Sequence, residues 1–272
     1  MWSIHGPLSH HILRPLVSHS AVTTCREPES REHLLAAGYP EDKVRLAPCP
    51  SFAMARLPED RGREILEAEG LAGLGRPLVG VSIRYHGFGG DPGLGKLRAY
   101  LAAVAETVLE LHRRYGAMAV VVPQNIAPGL LLYNDQAVND LFAQMVDNPD
   151  ALRVVTTDYT PHELVAFYSQ LQAFIGTRLH ACIFALRGYT PVVPIAYDPH
   201  KTSGIMTMLG LDRYLVDIAG ITGPALTEQV VEVWEHRDEV VEHLRRVLPV
   251  MEEDVWNNVR WVDEALAPPE GS

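Results

Sequence analysis

The chain has 272 residues, of which 47% are hydrophobic and 7% aromatic, and its formal net charge is −11. This acidic balance and the lack of any Lys/Arg block argue against nucleic-acid binding, because nucleic-acid-binding proteins carry basic patches. The sequence has no apolar run long enough to cross a bilayer and no basic segment followed by an apolar one at its start, so we expect no transmembrane helix, no signal peptide and a cytoplasmic location.

Short strands and helices alternate in the first 75 residues. Residues 4–7 read as the end of a strand followed by a loop. The β-rich runs at 21–26 and 44–48 predict strands. Helices are predicted at 31–37, after Pro28 and Glu29 in a favourable first turn, and at 58–69. Gly70, Gly73, Gly75 and Pro77 then predict a domain boundary near residue 75.

Residues 76–250 repeat a strand–helix pattern. Strands are predicted at 78–84, 117–123, 153–156, 173–176 and 191–195, and helices at 96–115, 134–147, 179–186 and 226–250. Thr160, Pro161 and Glu163 form a capping box that opens a further helix. Continuously apolar strands that alternate with helices predict an α/β fold with a doubly wound parallel sheet. Residues 251–272 are predicted to be a C-terminal helix and a tail.

Charged residues stand where two of these strands end. Arg84 ends the strand at 78–84, directly before the Gly-rich run 87–93. Arg178 and His180 lie where the strand at 173–176 ends and the helix at 179–186 begins. Ligands bind at the carboxyl ends of parallel strands, and helix N-termini favour anions, so these side chains are candidates for gripping a carboxylate or phosphate. Structural ion pairing of the arginines and a packed histidine are the alternatives.

Polar residues follow two more strands. Gln124 and Asn125 could bond sugar hydroxyls or form an ordinary turn. After the strand at 191–195, a lysine, two hydroxyl side chains and a glycine lie at the predicted start of another helix. They could form a phosphate-binding site or an ordinary surface loop. The residues of this segment are Tyr197, Lys201, Thr202, Ser203 and Gly204.

Together these residues predict an anion-binding crevice in an acidic protein. No conventional nucleophile stands out, and Asp158 and Asp198 are isolated, so the Asp pair of a metal-dependent sugar-nucleotide site is lacking. We predict no metal site. The three cysteines have no metal-binding or CxxC spacing and are expected to be buried free thiols.

Residues 176–204 resemble the signature of the polysaccharide pyruvyl transferase family. The run contains Arg-Leu-His-Ala, a helix of small residues, Gly188-Tyr189-Thr190-Pro191 where the family has Gly-x-Pro, and then a Tyr, Lys and Gly in order. Upstream, Arg26-Glu27-Pro28-Glu29-Ser30 resembles the family's Arg-Glu/Asp-x-x-Ser segment, and residues 48–52 resemble its Pro-Asp-Pro-x-Phe segment.

The resemblance implies two Rossmann-like domains similar to those of GT-B glycosyltransferases. It also implies transfer of pyruvate from phosphoenolpyruvate to a sugar hydroxyl as a ketal, with no cofactor and with an acceptor that could be lipid-linked. By this likeness Arg84, Arg178 and His180 are the catalytic candidates. Substrate binding would fall to Arg26, Gln124, Tyr197, Lys201, Thr202, Ser203 and Gly204.

The chain departs from the family pattern in two places. The family's first strand and Gly-rich loop, which face the acceptor, precede the matched segments and are missing here, so the N-terminal domain is expected to be incomplete. Cys49 stands where the family tends to have Asp. A nucleotide-sugar glycosyltransferase of GT-B fold and a truncated, non-catalytic family member are therefore the alternative functions.

Overall fold

A computed structural model describes residues 7–87, 94–126, 134–198 and 200–267. The chain divides into two compact units. The smaller unit comprises residues 1–53, 198–212 and 246–272, and the larger unit comprises residues 54–197 and 213–245. The boundaries near residues 75 and 250 that the sequence indicates stay predictions.

The described residues form eleven α-helices and eight strands. The helices are α1 Pro7–His19, α2 Pro28–Ala36, α3 Glu59–Ala68, α4 Gly95–Tyr115, α5 Asp135–Val146, α6 Pro161–Tyr168, α7 Leu179–Arg187, α8 Lys201–Met208, α9 Gly223–Glu235, α10 Arg237–Val255 and α11 Asn257–Leu266. The strands are β1 Thr23–Cys25, β2 Val44–Leu46, β3 Leu78–Ser82, β4 Met118–Val121, β5 Leu152–Val154, β6 Ala173–Gly176, β7 Val192–Ala196 and β8 Val216–Asp217.

The larger unit is built on a six-stranded parallel sheet in the order β5-β4-β3-β6-β7-β8. The chain moves outward from β3 to β5, returns to the centre at β6 and then moves outward in the other direction. This reversal makes the space between the carboxyl ends of β3 and β6 a topological switch point, where open α/β sheets bind their ligands. The predicted α/β class with a parallel sheet is confirmed.

The central strands are apolar because they are covered on both sides. Every residue of β3, β4, β6 and β7 is buried. Helices α4, α5 and α9 pack together, as do α3, α6 and α7. The predicted capping box at the start of α6 is confirmed, with the Thr160 and Glu163 side chains each bonding the other's backbone N–H. The sequence pattern thus predicts the central strands of this unit and the start of α6.

The smaller unit contains the parallel pair β1–β2. Val17, Cys25, Tyr39 and Val44 form its buried cluster, with Leu34, Leu35 and Ala37 packed against it. The loop expected at Pro7 was wrong, because α1 begins there. Proline is well tolerated at the first position of a helix, where its missing N–H costs no hydrogen bond.

The C-terminal helices end at positions that differ from the prediction. One helix was expected over 226–250, but α9 ends at Glu235 and α10 continues to Val255. The break falls at His236, whose Nδ1 lies 3.0 Å from the Glu232 carbonyl oxygen. The periodic spacing of apolar residues continues through this break, so it does not indicate where one helix ends and the next begins.

All three cysteines are buried free thiols, as predicted. Burial raises the pKa of Cys182 to about 12 and, together with the Glu27 carboxylate, raises that of Cys25 to about 11. In the described part of the chain, no helix is both long and apolar enough to cross a membrane.

Gly80 lies in the middle of β3, where an added Cβ would overlap the Phe174 ring and approach Leu171 Cδ1 to 2.7 Å. We expect Gly80→Ala to lower the free energy of unfolding by about 1–3 kcal/mol, since overpacking forces core side chains off their rotamers. Gly220→Ala is the control, because a Cβ there meets nothing within 4 Å. Urea unfolding that gives both variants the same midpoint would contradict this packing.

Candidate functional site

Two arginines leave the sheet at its switch point. Ser82 at the end of β3 pairs in register with Gly176 at the end of β6. Arg84 and Arg178 each follow by two residues, so they leave neighbouring strands at the same level. Since neighbouring strands lie about 4.8 Å apart, the two arginines originate close together in the larger unit.

A buried tyrosine fixes the two strand ends. The Tyr100 hydroxyl of α4 lies 2.6 Å from Thr177 Oγ1 and also hydrogen-bonds the backbone of Arg84. Tyr100 is fully buried, and this burial raises the pKa of its hydroxyl far above the ordinary value. It therefore stays a neutral hydroxyl that can donate to one partner and accept from the other.

A buried carboxylate holds Arg178. Asp135, at the start of α5, is 1% exposed, and both of its oxygens accept hydrogen bonds from Arg178. The Nε–Oδ2 distance is 3.2 Å. Asp135 Oδ2 also accepts from the backbone N–H groups of Gln124 and Asn125, each at 3.0 Å. The carboxylate thus joins the end of β4 to the start of α7.

Arg84 has different surroundings. Its Nε donates to the Tyr85 carbonyl oxygen at 3.0 Å, and its guanidinium carbon lies 4.4 Å from the centre of the Tyr197 ring. Among the described residues, no carboxylate forms an ion pair with Arg84. Tyr197 follows β7, so the structure brings together two of the predicted site residues from different strands.

His180 lies in the first turn of α7 and is exposed. Its ring centre is 6.3 Å from that of Phe184, one turn along the helix. Arg178 occupies the N-cap position of this helix without a side-chain capping bond. The first-turn N–H groups therefore face away from the helix body beside two candidate residues, as in an anion site.

Gln124 is held by its amide. Its Nε2 donates to the Tyr168 hydroxyl at 2.9 Å, and burial raises the pKa of that hydroxyl far above its usual range. The Gln124 amide oxygen retains its acceptor capacity for a further partner.

The remaining predicted residues belong to the smaller unit. Lys201 opens α8, is exposed, and its Nζ lies 3.0 Å from Asp198 Oδ2. The Nδ1 atom of His200, the residue before it, contacts a carboxylate oxygen of Glu29 in α2. Thr202 and Gly204 are buried, and the Ser203 hydroxyl donates to the His200 carbonyl oxygen at 3.3 Å.

Gly204 allows α8 to lie against the start of α2. A Cβ at this position would be 2.7 Å from Glu27 Cβ. Glu27 is buried and caps α2 by accepting from the Ser30 N–H and hydroxyl. Arg26, beside it, is half-buried. Of the Gly-rich run 87–93, only Gly87 belongs to the described residues.

Sequence reasoning missed three residues of this site, namely Tyr100, Asp135 and His86. Tyr100 lies among the apolar positions of α4, so it looks like an ordinary core residue. Asp135 looks like any acidic residue in the first turn of a helix. His86 follows Arg84 by two residues, and its ring centre is 5.6 Å from that of Tyr197. In the sequence, only the spacing of Arg84 and His86 after β3 indicates that His86 could belong to the site.

Asp135→Asn removes the charge from the carboxylate but keeps its size. Arg178, whose side chain is 18% exposed, then loses its counter-ion, and we expect a loss of about 2–4 kcal/mol in the free energy of unfolding. Asp140→Asn on the same helix is the matched control, because Asp140 is exposed. Equal urea midpoints for the two variants would show that the Asp135–Arg178 pair does not support the fold.

The family model described as polysaccharide pyruvyl transferase matches residues 2–199. The amylovoran biosynthesis protein AmsJ of Erwinia amylovora is 28% identical over 130 residues, which are 47% of this chain and 31% of AmsJ. The chain therefore spans about a third of the length of this relative.

Solved structures share the fold at low identity. A glycosyltransferase from Rickettsia africae is 12% identical with a TM-score of 0.63, and the match covers 98% of this chain and 69% of that one. Anabaena HepE in complex with UDP-glucose is 12% identical with a TM-score of 0.60, over 94% and 67%. The Neisseria meningitidis UDP-GlcNAc 2-epimerase is 13% identical with a TM-score of 0.58, over 98% and 66%. These likenesses confirm the expected GT-B-like α/β fold.

Proposed function

The chain belongs to the polysaccharide pyruvyl transferase family, and on that premise we propose that it transfers pyruvate from phosphoenolpyruvate to a sugar as a ketal. The reaction serves polysaccharide or glycoconjugate biosynthesis in the cytoplasm. The similarity to AmsJ, an amylovoran biosynthesis protein, supports a biosynthetic role.

Arg84 at the switch point is the observation that carries this proposal. Phosphoenolpyruvate has a carboxylate and a phosphate, so its site needs cations whose charge is not already neutralised by the protein. In the described part of the chain, Arg84 meets a carbonyl oxygen and an aromatic ring but forms no ion pair with a carboxylate. Its planar fork of N–H donors suits either anionic group of the donor.

Arg178, which leaves the neighbouring strand, would act as an oriented hydrogen-bond donor. Asp135 engages its Nε and one terminal nitrogen, so the other N–H groups keep a fixed direction. A pre-oriented donor stabilises the charge of the departing phosphate without reorganising during the reaction. His180 and the first-turn N–H groups of α7 supply further hydrogen bonds to the same anion.

The proposed reaction needs no metal and no cofactor beyond its two substrates. The proposed acceptor is a free or lipid-linked sugar or glycan. The Gln124 amide oxygen can accept hydrogen bonds from its hydroxyls. Arg26, Lys201, Thr202, Ser203 and Gly204 remain candidate substrate-binding residues of the smaller unit. Binding an anion at Lys201 would cost little, because its ion pair with Asp198 is partly exposed.

The alternative is a glycosyltransferase that uses a nucleotide sugar. HepE is a structural neighbour in complex with UDP-glucose, which favours this second candidate at the level of fold. The two functions differ in donor, so donor binding separates them before any acceptor is known.

We expect phosphoenolpyruvate to bind in isothermal titration calorimetry, and Arg84→Ala to weaken that binding by about 1.5–3 kcal/mol, as for a lost charged hydrogen bond. Arg153→Ala is the matched control, since it removes an exposed arginine from the edge strand β5 of the same sheet. UDP and UDP-glucose are titrated in parallel. Binding of UDP-glucose without phosphoenolpyruvate would replace the pyruvyl transfer proposal with the glycosyltransferase.

A further inference from the structure

His86 completes a cluster at the end of β3. The Tyr197 ring, which follows β7, lies against the Arg84 guanidinium and against the His86 ring. The rings of His86 and Tyr197 are inclined by 48° and their centres are 5.6 Å apart. One aromatic ring thus holds a cation and an imidazole side by side at the switch point of the sheet.

The protonation state of His86 follows from these neighbours. Its partial burial, and then the positive charge of Arg84, lower the pKa of the imidazole below its ordinary value. The Tyr197 ring packs against the imidazole from the end of β7, and Arg84 acts on it through its positive charge. At neutral pH His86 is therefore an uncharged imidazole, which can accept a proton.

Ketal formation needs such a group. Two sugar hydroxyls lose their protons as they bond to C2 of phosphoenolpyruvate. One of these protons ends on C3, which becomes a methyl group, and the other ends on the released phosphate. The net reaction neither consumes nor releases a proton, so a base that takes the first proton can return it to C3 and is regenerated.

We propose that His86 is the catalytic residue that takes the proton of the first attacking hydroxyl and delivers it to C3. As the oxygen–C2 bond forms, the electron pair of the C2–C3 double bond takes the proton. The second hydroxyl then replaces phosphate at C2, and its proton leaves with the phosphate. This role rests on the proposed function, because it requires the donor to lie on Arg84 beside His86.

Donor binding should strengthen His86 as a base. An anion placed on Arg84 offsets the charge that disfavours the imidazolium, so the pKa of His86 rises in the complex. Near or below this raised pKa, phosphoenolpyruvate binding takes up a proton at His86; above it the imidazole stays neutral and can accept the proton of the hydroxyl. The extra affinity is fully present below the pKa of the free protein and is lost as the pH rises through the higher pKa of the complex.

The test compares phosphoenolpyruvate affinity between pH 8 and pH 6 in the wild type and in His86→Gln. Glutamine keeps a hydrogen-bonding side chain but does not titrate. We expect the wild type to gain several-fold more affinity than the variant over this range, because only the wild type takes up a proton at residue 86 when the donor binds. The donor's own phosphate titrates equally in both proteins and cancels in the comparison.

His236→Gln is the matched control. His236 is exposed, and its neighbour Arg237 donates to the Gln172 carbonyl oxygen just before β6, at the amino end of the strand and away from the carboxyl ends where the candidate site lies. This variant should keep the wild-type pH dependence. NMR titration of the imidazole resonance that is missing in His86→Gln should show a pKa below 6.5 that rises when phosphoenolpyruvate is added.

The outcomes separate the two proposals. Phosphoenolpyruvate that binds with the same pH dependence in the wild type and in His86→Gln, or leaves the His86 resonance unmoved, would overturn the role of His86 alone. A wild-type protein that does not bind phosphoenolpyruvate at any of these pH values would overturn the donor site itself.

Discussion

The buried carboxylate of Asp135 is the interaction on which the geometry of the larger unit's site depends. Each of its two oxygens accepts a hydrogen bond from Arg178, and one of them also accepts from two backbone N–H groups that follow β4. A carboxylate this buried is stable only when it is paired and hydrogen-bonded. Because its partners come from the end of β4 and the start of α7, their relative position is fixed when the charge is satisfied. Tyr100 does the same for β3 and β6 with neutral groups.

The proposed binding of an anionic donor by an acidic chain poses an electrostatic problem. With a net charge of −11, the protein as a whole repels phosphate and carboxylate ligands. The two arginines at the switch point differ in how their charge is balanced. Arg178 is neutralised and rigid, whereas Arg84 is held over an aromatic ring without a carboxylate partner in the described part of the chain. In the proposed site, Arg178 would offer hydrogen bonds of fixed direction, and Arg84 would offer a charge that no carboxylate of the described residues neutralises.

Local patterns predicted the scaffold well. The apolar run of β3, the capping box of α6 and the abrupt step from β6 to α7 follow from short-range rules of burial and capping. The pattern also placed Arg84, Arg178 and Tyr197 at strand ends. It did not predict α1, because an opening segment with Gly6 and Pro7 has the composition of a loop. It also missed the end of α9 at Glu235, since the apolar spacing continues beyond that residue.

The partners inside the site could not be predicted from spacing. Asp135 is 43 residues from Arg178 in sequence, and nothing local distinguishes it from any acidic first-turn residue. Tyr100 and Thr177 are 77 residues apart. The order of the strands decides these pairings, because it brings β3 next to β6 and the start of α5 next to the end of β4. His86 acquires its significance in the same way, through a tyrosine that follows a strand two positions away in the sheet.

A crystal structure of the protein grown with phosphoenolpyruvate would test the donor site most directly. We predict the donor beyond the carboxyl ends of β3 and β6, with one anionic group on the Arg84 guanidinium and within hydrogen-bond distance of Arg178 or the first-turn N–H groups of α7. Phosphoenolpyruvate bound elsewhere, or displaced from this position by the diphosphate of UDP-glucose when both are present, would contradict the assignment of this site to a pyruvyl donor.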